Sequence, residues 1–545
     1  MVSVLLRNIC PPCAHRALAF GRHHDPYSLR SPASGLAGAA RVRMRCAVVI
    51  LVLGFTRAAV GTDYFLTIGG GYSPKGNQVS LEKNVQFFQR VLDRFYPKGV
   101  DHTVLFADGD DPARDLQFRP SESGMSEARE AVAHLFGQTR YLYDQYRNHE
   151  LDRVAGPSSK SELESWFESV RKRLEAGDRV FIYVTAHGGR AADKKQPHNT
   201  KLYLWNNQSI TMRDFAKQLD KLPETVPLVF VMVQCYSGGF SHLIFRGGDP
   251  DQGVAPQPRC GFLATVHTRP AAGCTPEINE ENYHEYSTYF WAAISGTSRT
   301  GEPVEGADLD GDGRVSFLEA HAYALRESIT IDISVKTSDA FLREYSTMPL
   351  AEETGNDSAA IDWYSADTPF DLLIADARED ERCVAVTLSQ ELDLSQEARA
   401  SQAKELAKRL DNQKKQLSKE IGRLSRKRHL LAAAVRKSLL AHWPEFSNPW
   451  HPEVAHALDH ESDAVMKVLR RSHQYAELLK LDKQLRAKTE QRSAVEKRWV
   501  KCQRLIRCLE NMALEHNLPF VATTDEQQAY ARLVELERQS LGAAR

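Results

Sequence analysis

Short runs of apolar residues recur along the first half of the chain, and helix-like segments separate them. The runs occupy residues 64–68, 103–107, 179–186, 226–234 and 261–266. Each is nearly continuous in apolar residues, which is typical of a parallel strand covered on both faces. The segments between them show helical periodicity or capping residues at 80–95, 161–176 and 211–222. Strands that alternate with helices predict a parallel sheet with helices on both sides. Ser161 and Thr211 are the expected N-caps of the last two helices.

The C-terminal part of the chain has a different pattern. Four leucines recur at seven-residue intervals among Lys, Arg, Glu and Gln, at positions 410, 417, 424 and 431. This repeat predicts a coiled coil or helical hairpin. Prolines 444, 449 and 452 interrupt the pattern, so we expect two long helices that turn back on each other. We assign residues 395–545 to this helical coiled-coil region and residues 345–394 to a linker.

The N-terminus has the pattern of a targeting segment. Three arginines precede an apolar run at residues 46–55, and small residues follow at 58–61. A basic flank, a short apolar core and a small-residue exit are typical of a secretory signal, here about 44–61, in a leader that spans residues 1–61. The alternative is a buried strand. A signal predicts a secreted or periplasmic protein without a stable membrane span after cleavage. Residues 1–43 show no periodicity and are expected to be disordered.

Composition adds few constraints. The 545 residues carry a formal net charge of -1, which gives no reason to expect a nucleic-acid partner. The charges of the helical region are expected to form a solvated face.

Beyond the signal, the cysteines are Cys235, Cys260, Cys274, Cys383, Cys502 and Cys508. These are too few for a scaffold built on disulfides. Cys260 and Cys274 flank one segment, and their pairing with each other stays open.

Two of the apolar runs end in reactive residues. The run at 179–186 leads into His187 and Gly188, and the run at 226–234 leads into Cys235. Reaction sites in parallel sheets lie beyond the carboxyl ends of the strands. A cysteine attacks as its thiolate, and a nearby histidine takes up the proton. We therefore interpret Cys235 as a nucleophile and His187 as its base. The backbone amides of Gly188 and Cys235 are the expected donors to an oxyanion. Alone, Cys235 would more commonly be a buried small hydrophobe, and His187 a hydrogen-bonded core histidine; their occurrence together at two strand ends favours the catalytic interpretation.

The pair resembles clan CD cysteine peptidases, the group of caspases, metacaspases and legumains. The histidine lies about 50 residues before the cysteine, as in caspases, and Cys235-Tyr236-Ser237-Gly238 is closer to the legumain-like and bacterial caspase-like branches. The resemblance covers roughly residues 62–330, within a peptidase domain that we assign to residues 62–344. It implies a caspase-like α/β/α sandwich and cleavage of protein or peptide substrates through a thioester acyl-enzyme.

One position departs from the family pattern. Legumains and metacaspases often carry an acidic residue two places before the cysteine, and Val233 stands there in this chain. The P1 preference of the family therefore does not carry over. Asp108, Asp110, Glu285 and His267 are candidates to line a pocket, although roles in turns, caps or surface charge fit them better.

A second motif lies at residues 308–319. Asp308, Asp310, Asp312, Ser316 and Glu319 occupy positions 1, 3, 5, 9 and 12 of a calcium loop, with glycine at position 6. Arg314 at position 7 would contribute its backbone carbonyl. We expect calcium in a structural role. The alternative is a vestigial Asp-rich turn.

Together these patterns predict an exported, calcium-binding cysteine endopeptidase with no organic cofactor. Two alternatives stay open. One is a catalytically silent scaffold that acts through its coiled coil, by oligomerisation or by binding a partner. The other is a transpeptidase or ligase that uses the same two residues.

Overall fold

The computed structural model describes residues 61–120, 126–137, 144–347, 362–448 and 451–542. The expected signal segment before residue 61 lies outside them. The strands are β1 (Asp63–Gly70), β2 (Asp101–Phe106), β3 (Leu116–Phe118), β4 (Gln145–Arg147), β5 (Arg179–Ala186), β6 (Gly188–Gly189), β7 (Lys201–Leu204), β8 (Gln208–Thr211), β9 (Leu228–Met232), β10 (Arg259–Leu263) and β11 (Val335–Lys336).

The helices begin with α1 (Val79–Phe95), α2 (Glu127–Phe136), α3 (Lys160–Arg171), α4 (Met212–Leu219), α5 (Tyr286–Ser295), α6 (Phe317–Glu327) and α7 (Thr337–Tyr345). The C-terminal part contributes α8 (Phe370–Asp376), α9 (Glu379–Glu391), α10 (Arg399–Leu440), α11 (Pro452–His460), α12 (Ser462–Arg471), α13 (His473–Val521) and α14 (Thr524–Glu537). Ser237–Ile244 forms a 3-10 helix.

The central sheet has six strands in the order β11-β10-β9-β5-β1-β2. All neighbours are parallel except β10 and β11. The prediction of a mostly parallel sheet is therefore confirmed. Four of the five apolar runs form the central strands β1, β5, β9 and β10, and the run at 103–107 forms the edge strand β2. Successive side chains of each strand lie on opposite faces of the sheet. The strands β5 and β9 are direct neighbours, so their carboxyl ends lie side by side.

Helices cover both faces of this sheet. On one face Phe181 and Phe262 share a buried cluster with Phe290 of α5 and Phe341 of α7. On the other face the buried strand residues contact α3 and α4 through residues such as Phe215. Thr211 caps α4 as expected, because its hydroxyl accepts the N–H of Asp214.

The cap of α3 differs from the prediction. Ser159 rather than Ser161 accepts the N–H of Glu162, at 3.2 Å, so the helix begins two residues earlier than the sequence suggested. Each serine is followed three residues later by a glutamate, Glu162 or Glu164. Both therefore have capping-box spacing, and the tertiary structure selects Ser159.

The C-terminal region contains two long antiparallel helices. Cross-helix ion pairs join Lys414 to Glu496, Glu420 to Lys488 and Lys427 to Glu477. The residue numbers of the partners increase along α10 while they decrease along α13. The two helices are therefore antiparallel and form a hairpin. Helix α2 packs against the C-terminal end of α10. There Val132 and Leu135 share a buried cluster with residues of α10 and α12.

The segment assigned to a linker contains two helices among its described residues. Within residues 345–394, helices α8 and α9 bury Leu373, Val384 and Leu388 against α13. The helical region is also continuous with the sheet, because Tyr530 and Leu533 of α14 complete the cluster around Phe262. The apolar side chains of these helices pack against residues that are distant in sequence. Local periodicity does not predict such contacts.

Candidate active site

Strands β5 and β9 deliver His187 and Cys235 to the same edge of the sheet. His187 directly follows β5, and Cys235 lies three residues beyond β9. The next residue, Tyr236, has a φ of 62°. A left-handed backbone is uncommon for a tyrosine and marks a sharp turn at this point. The turn leads from the strand into the 3-10 helix and leaves the Cys235 side chain half-buried.

The hydrogen bonds of His187 define its tautomer. Its Nε2 lies 2.7 Å from the carbonyl oxygen of Gly76 and 3.0 Å from Oε1 of Gln78. Both partners are acceptors, so Nε2 carries the proton and Nδ1 is unprotonated. Burial lowers the pKa of His187, and the Gly76 carbonyl opposes that shift. The neutral imidazole is therefore ready to accept a proton at Nδ1.

Cys235 is held by the backbone of Ala271. The Ala271 N–H donates to Cys235 Sγ at 3.3 Å, and the thiol lies 3.8 Å from the Ala271 carbonyl oxygen. Burial raises the pKa of Cys235, while a hydrogen bond to the Ala271 backbone opposes the shift. The lowered pKa of His187 and the raised pKa of Cys235 both favour the neutral forms, so attack requires proton transfer from the thiol.

A second cysteine, Cys274, reaches the same histidine. Its Sγ lies 3.7 Å from Nδ1 of His187. Across the described parts of the chain, no hydrogen bond joins His187 to Cys235 itself. Both Cys260 and Cys274 are free thiols; Cys260 is buried in β10 and Cys274 is exposed. Beyond its possible disulfide, Cys274 could not be assigned to this site from sequence, because a loop cysteine has no periodicity or motif of its own.

The two expected oxyanion donors are close in space. A side-chain carbon at position 188 would lie 2.1 Å from the carbonyl oxygen of Cys235 and 2.7 Å from Cγ of Gln234. Only glycine permits this approach of the β6 backbone to the turn after β9. Within the described ranges no other residue accepts the Cys235 N–H, whose hydrogen bond is to the residue's own sulfur. It is therefore available to a negative oxygen developing beside the sulfur.

The other candidate pocket residues have structural surroundings. Val233 is buried in the core. Glu285 is buried beside Arg299, with 3.3 Å between carboxylate and guanidinium. His267 lies against His198, which also stacks on His242. Burial lowers the pKa of all three histidines. Asp108 and Asp110 lie in the loop after β2. None of these residues forms a hydrogen bond with His187 or Cys235 in the portion of the chain that is described.

The acidic loop at 308–319 is preorganised by its own backbone. Asp308, Asp310 and Asp312 bring carboxylate oxygens within 4.8 Å of one another. The Asp308 carboxylate accepts the N–H groups of Gly311 and Gly313. Glu319 accepts from Leu309 and from Ser316, which caps α6. Arg314 donates its N–H to Asp312. An all-oxygen set in a turn of this kind fits a hard divalent cation.

No protein-family model matches the chain, and no curated protein matches it. Among solved structures, the chain is similar to a structural-genomics target protein from Geobacter sulfurreducens, at 10% sequence identity and a TM-score of 0.28. The similarity covers 49% of this chain and 88% of that protein. A likeness at that TM-score supports no argument about fold or activity. Among the helices of the described residues, none is long and apolar enough to cross a membrane.

Proposed function

We propose that the chain is a cysteine endopeptidase of the caspase/legumain-like kind, with Cys235 as the nucleophile and His187 as its base. The observation that carries the proposal is the pairing at the ends of β5 and β9. An imidazole with an unprotonated Nδ1 and a half-buried thiol lie at adjacent strand ends. This is where catalytic groups collect in parallel sheets.

The proposed reaction follows from these atoms. As Cys235 Sγ attacks the peptide carbonyl carbon, its proton passes to Nδ1 of His187, and the N–H groups of Gly188 and Cys235 stabilise the oxyanion. His187 then donates the proton to the leaving amine, and a thioester remains on Cys235. As water attacks the thioester carbonyl carbon, His187 takes one of its protons, and it returns that proton to Cys235 Sγ when the C–S bond breaks. The Gly76 carbonyl and Gln78 hold the imidazole in place throughout.

The test is a fluorogenic peptide library screened with wild-type protein and with Cys235→Ala. We expect hydrolysis of at least one peptide by the wild type and none by the variant. Cys274→Ala is the matched control, because Cys274 is the other thiol near His187. Turnover that survives Cys235→Ala but disappears in Cys274→Ala would show that Cys274, and not Cys235, is the nucleophile.

The proposal also includes a structural calcium ion in the 308–319 loop. The oxygen atoms of Asp308, Asp310 and Asp312 support it. Ligand that binds only the folded state stabilises it by about 2.7 kcal/mol at a hundredfold excess over Kd. We therefore expect millimolar calcium to raise the melting temperature of the wild type but not of Asp310→Ala. Glu305→Gln changes an exposed acid outside the loop and serves as control. Equal calcium shifts in all three proteins would contradict the site.

A further inference from the structure

We propose that residues 269–275 form a gate over Cys235 and that helix α13 holds this gate shut. What the gate controls rests on the proposed peptidase function, but its existence does not. The gate segment, as residues 269–275 are called below, follows β10 and contacts Cys235 after β9, His187 after β5 and Ser80 of α1. It contacts the candidate active site at two points and the surrounding structure at several more.

The gate segment occupies the space in front of the sulfur. The Ala271 N–H lies 3.3 Å from Cys235 Sγ, and the Ala271 carbonyl oxygen lies 3.8 Å from it. Reacting atoms in a productive complex are about 3–3.5 Å apart. The Ala271 backbone therefore stands where the backbone of a substrate would have to come. Cys274 in the same way occupies the free face of His187, at 3.7 Å from Nδ1.

Backbone hydrogen bonds fix the gate segment at both ends. The Tyr236 N–H donates to the carbonyl oxygen of Arg269 at 2.9 Å. At the other end, Thr275 donates its N–H to Ser80 Oγ, and Ser80 donates its N–H to the Thr275 carbonyl oxygen. Between them, Gly273 lies so close to Glu285 that a side-chain carbon there would be 2.0 Å from the carboxylate. Specific contacts at both ends and at Gly273 therefore hold the gate segment in one position.

Helix α13 supplies the side-chain anchor at Arg269. The Arg269 guanidinium donates to the Glu496 carboxylate at 2.6 Å and lies 4.9 Å from the centre of the Trp499 ring. Lys414 of α10 contacts the same two residues, at 2.7 Å from Glu496 and 4.6 Å from the Trp499 ring. Both helices of the hairpin therefore meet at the start of the gate segment.

The same helix also supports the middle of the gate segment. Ala272 donates its N–H to Asp332 Oδ1 at 2.7 Å. Asp332 belongs to the loop after α6, and Arg504 of α13 binds that loop through the carbonyl oxygens of Asp332 and Ser328. A movement of α13 away from the sheet would thus release Arg269 directly and Asp332 through its loop. The hairpin is therefore in a position to control access to Cys235.

The test measures how fast iodoacetamide alkylates Cys235 in the full-length protein, by peptide mass spectrometry. Arg269→Ala and Glu496→Gln each remove one side of the anchor. We expect either variant to alkylate Cys235 about five- to tenfold faster than the wild type, because each favours the open form. Lys488→Ala breaks a different hairpin ion pair, with Glu420, and should leave the rate unchanged. Cys260 is fully buried and reports unfolding if it becomes labelled.

Equal Cys235 rates in the wild type, Arg269→Ala and Glu496→Gln would overturn the gate. If Arg269→Ala exposes Cys260, Glu496→Gln alone decides, since it preserves side-chain volume and leaves Arg269 in place. Faster labelling in all variants, Lys488→Ala included, would also refute the proposal, because general loosening of the hairpin would then be the cause. Faster labelling with no hydrolysis of any peptide would support the gate and reject the peptidase function, so the two proposals fail separately.

Discussion

Substitution of Gly188 by alanine tests the closeness of the two strand ends. The added carbon would lie 2.1 Å from the Cys235 carbonyl oxygen. Ordinary van der Waals contact begins near 3.4 Å, so the β6 backbone and the turn after β9 must separate by about 1 Å or more. The contact is with backbone rather than with the flexible end of a side chain. Rotation of a side chain therefore cannot relieve it.

The magnitude of the effect follows from that displacement. A shift of about 1 Å in a catalytic group costs about a hundredfold in rate. Overpacking at a close contact destabilises a protein by about 1–3 kcal/mol. We expect Gly188→Ala to lower kcat/KM by about a hundredfold and the free energy of unfolding by an amount within that range.

The assay combines hydrolysis of the best peptide from the library with urea unfolding. Gly422→Ala is the matched control, because Gly422 lies inside α10 and the nearest atom to its added carbon is Arg426 Nη1 at 3.8 Å. Alanine is preferred in a helix interior by about 1 kcal/mol, so this variant should be more stable and equally active. Wild-type kcat/KM in Gly188→Ala would refute the proposed role of the close approach at the ends of β5 and β9.

Three further results are expected. The buried Arg504 guanidinium donates hydrogen bonds to Leu325, Ser328, Thr330 and Asp332. Arg504→Leu removes these bonds and should lower the free energy of unfolding, measured in urea, by about 3–5 kcal/mol. A loss below about 1 kcal/mol would contradict the anchoring role of Arg504. Burial raises the pKa of Asp332 to about 7, so the folded state keeps a proton that the unfolded state loses, and stability should fall as the pH rises from about 4 to 7. Asp332→Asn should flatten that dependence, and an unchanged slope would contradict the shift. Because burial lowers the pKa of His187, the acid limb of a plot of kcat/KM against pH should lie below the ordinary imidazole value of 6.5, and a limb above it would argue against a neutral base.

The central sheet was predictable because its signal is local. Each of the strands β1, β5, β9 and β10 is an apolar run, and burial on both faces requires that composition. The same reasoning placed His187 and Cys235 at neighbouring positions, since consecutive parallel strands end at one edge. The two long helices were predictable from the leucine spacing and from the prolines between them.

What the sequence did not reveal depends on contacts between distant segments. Residues 269–275 have no periodicity, and their position over Cys235 depends on Glu496 and Trp499 more than 200 positions away. The tautomer of His187 depends on Gly76 and Gln78, which precede it by about 110 residues. Such contacts are set by the whole fold and are not present in any local pattern.

The last described residues of the chain bear on the order in which it folds. The Gln539 side chain accepts a hydrogen bond from the buried Arg179 of β5, and its backbone carbonyl accepts the N–H of Phe317 of α6. Leu533 and Leu541 complete the cluster under the sheet. About 200 residues follow position 344, and synthesis at about 5–20 residues per second needs about 10–40 s to add them. During that interval one face of the sheet lacks its final cover. Residues 62–344 expressed alone should therefore expose apolar surface and aggregate, and folding of the sheet should be completed only after α14 has left the ribosome.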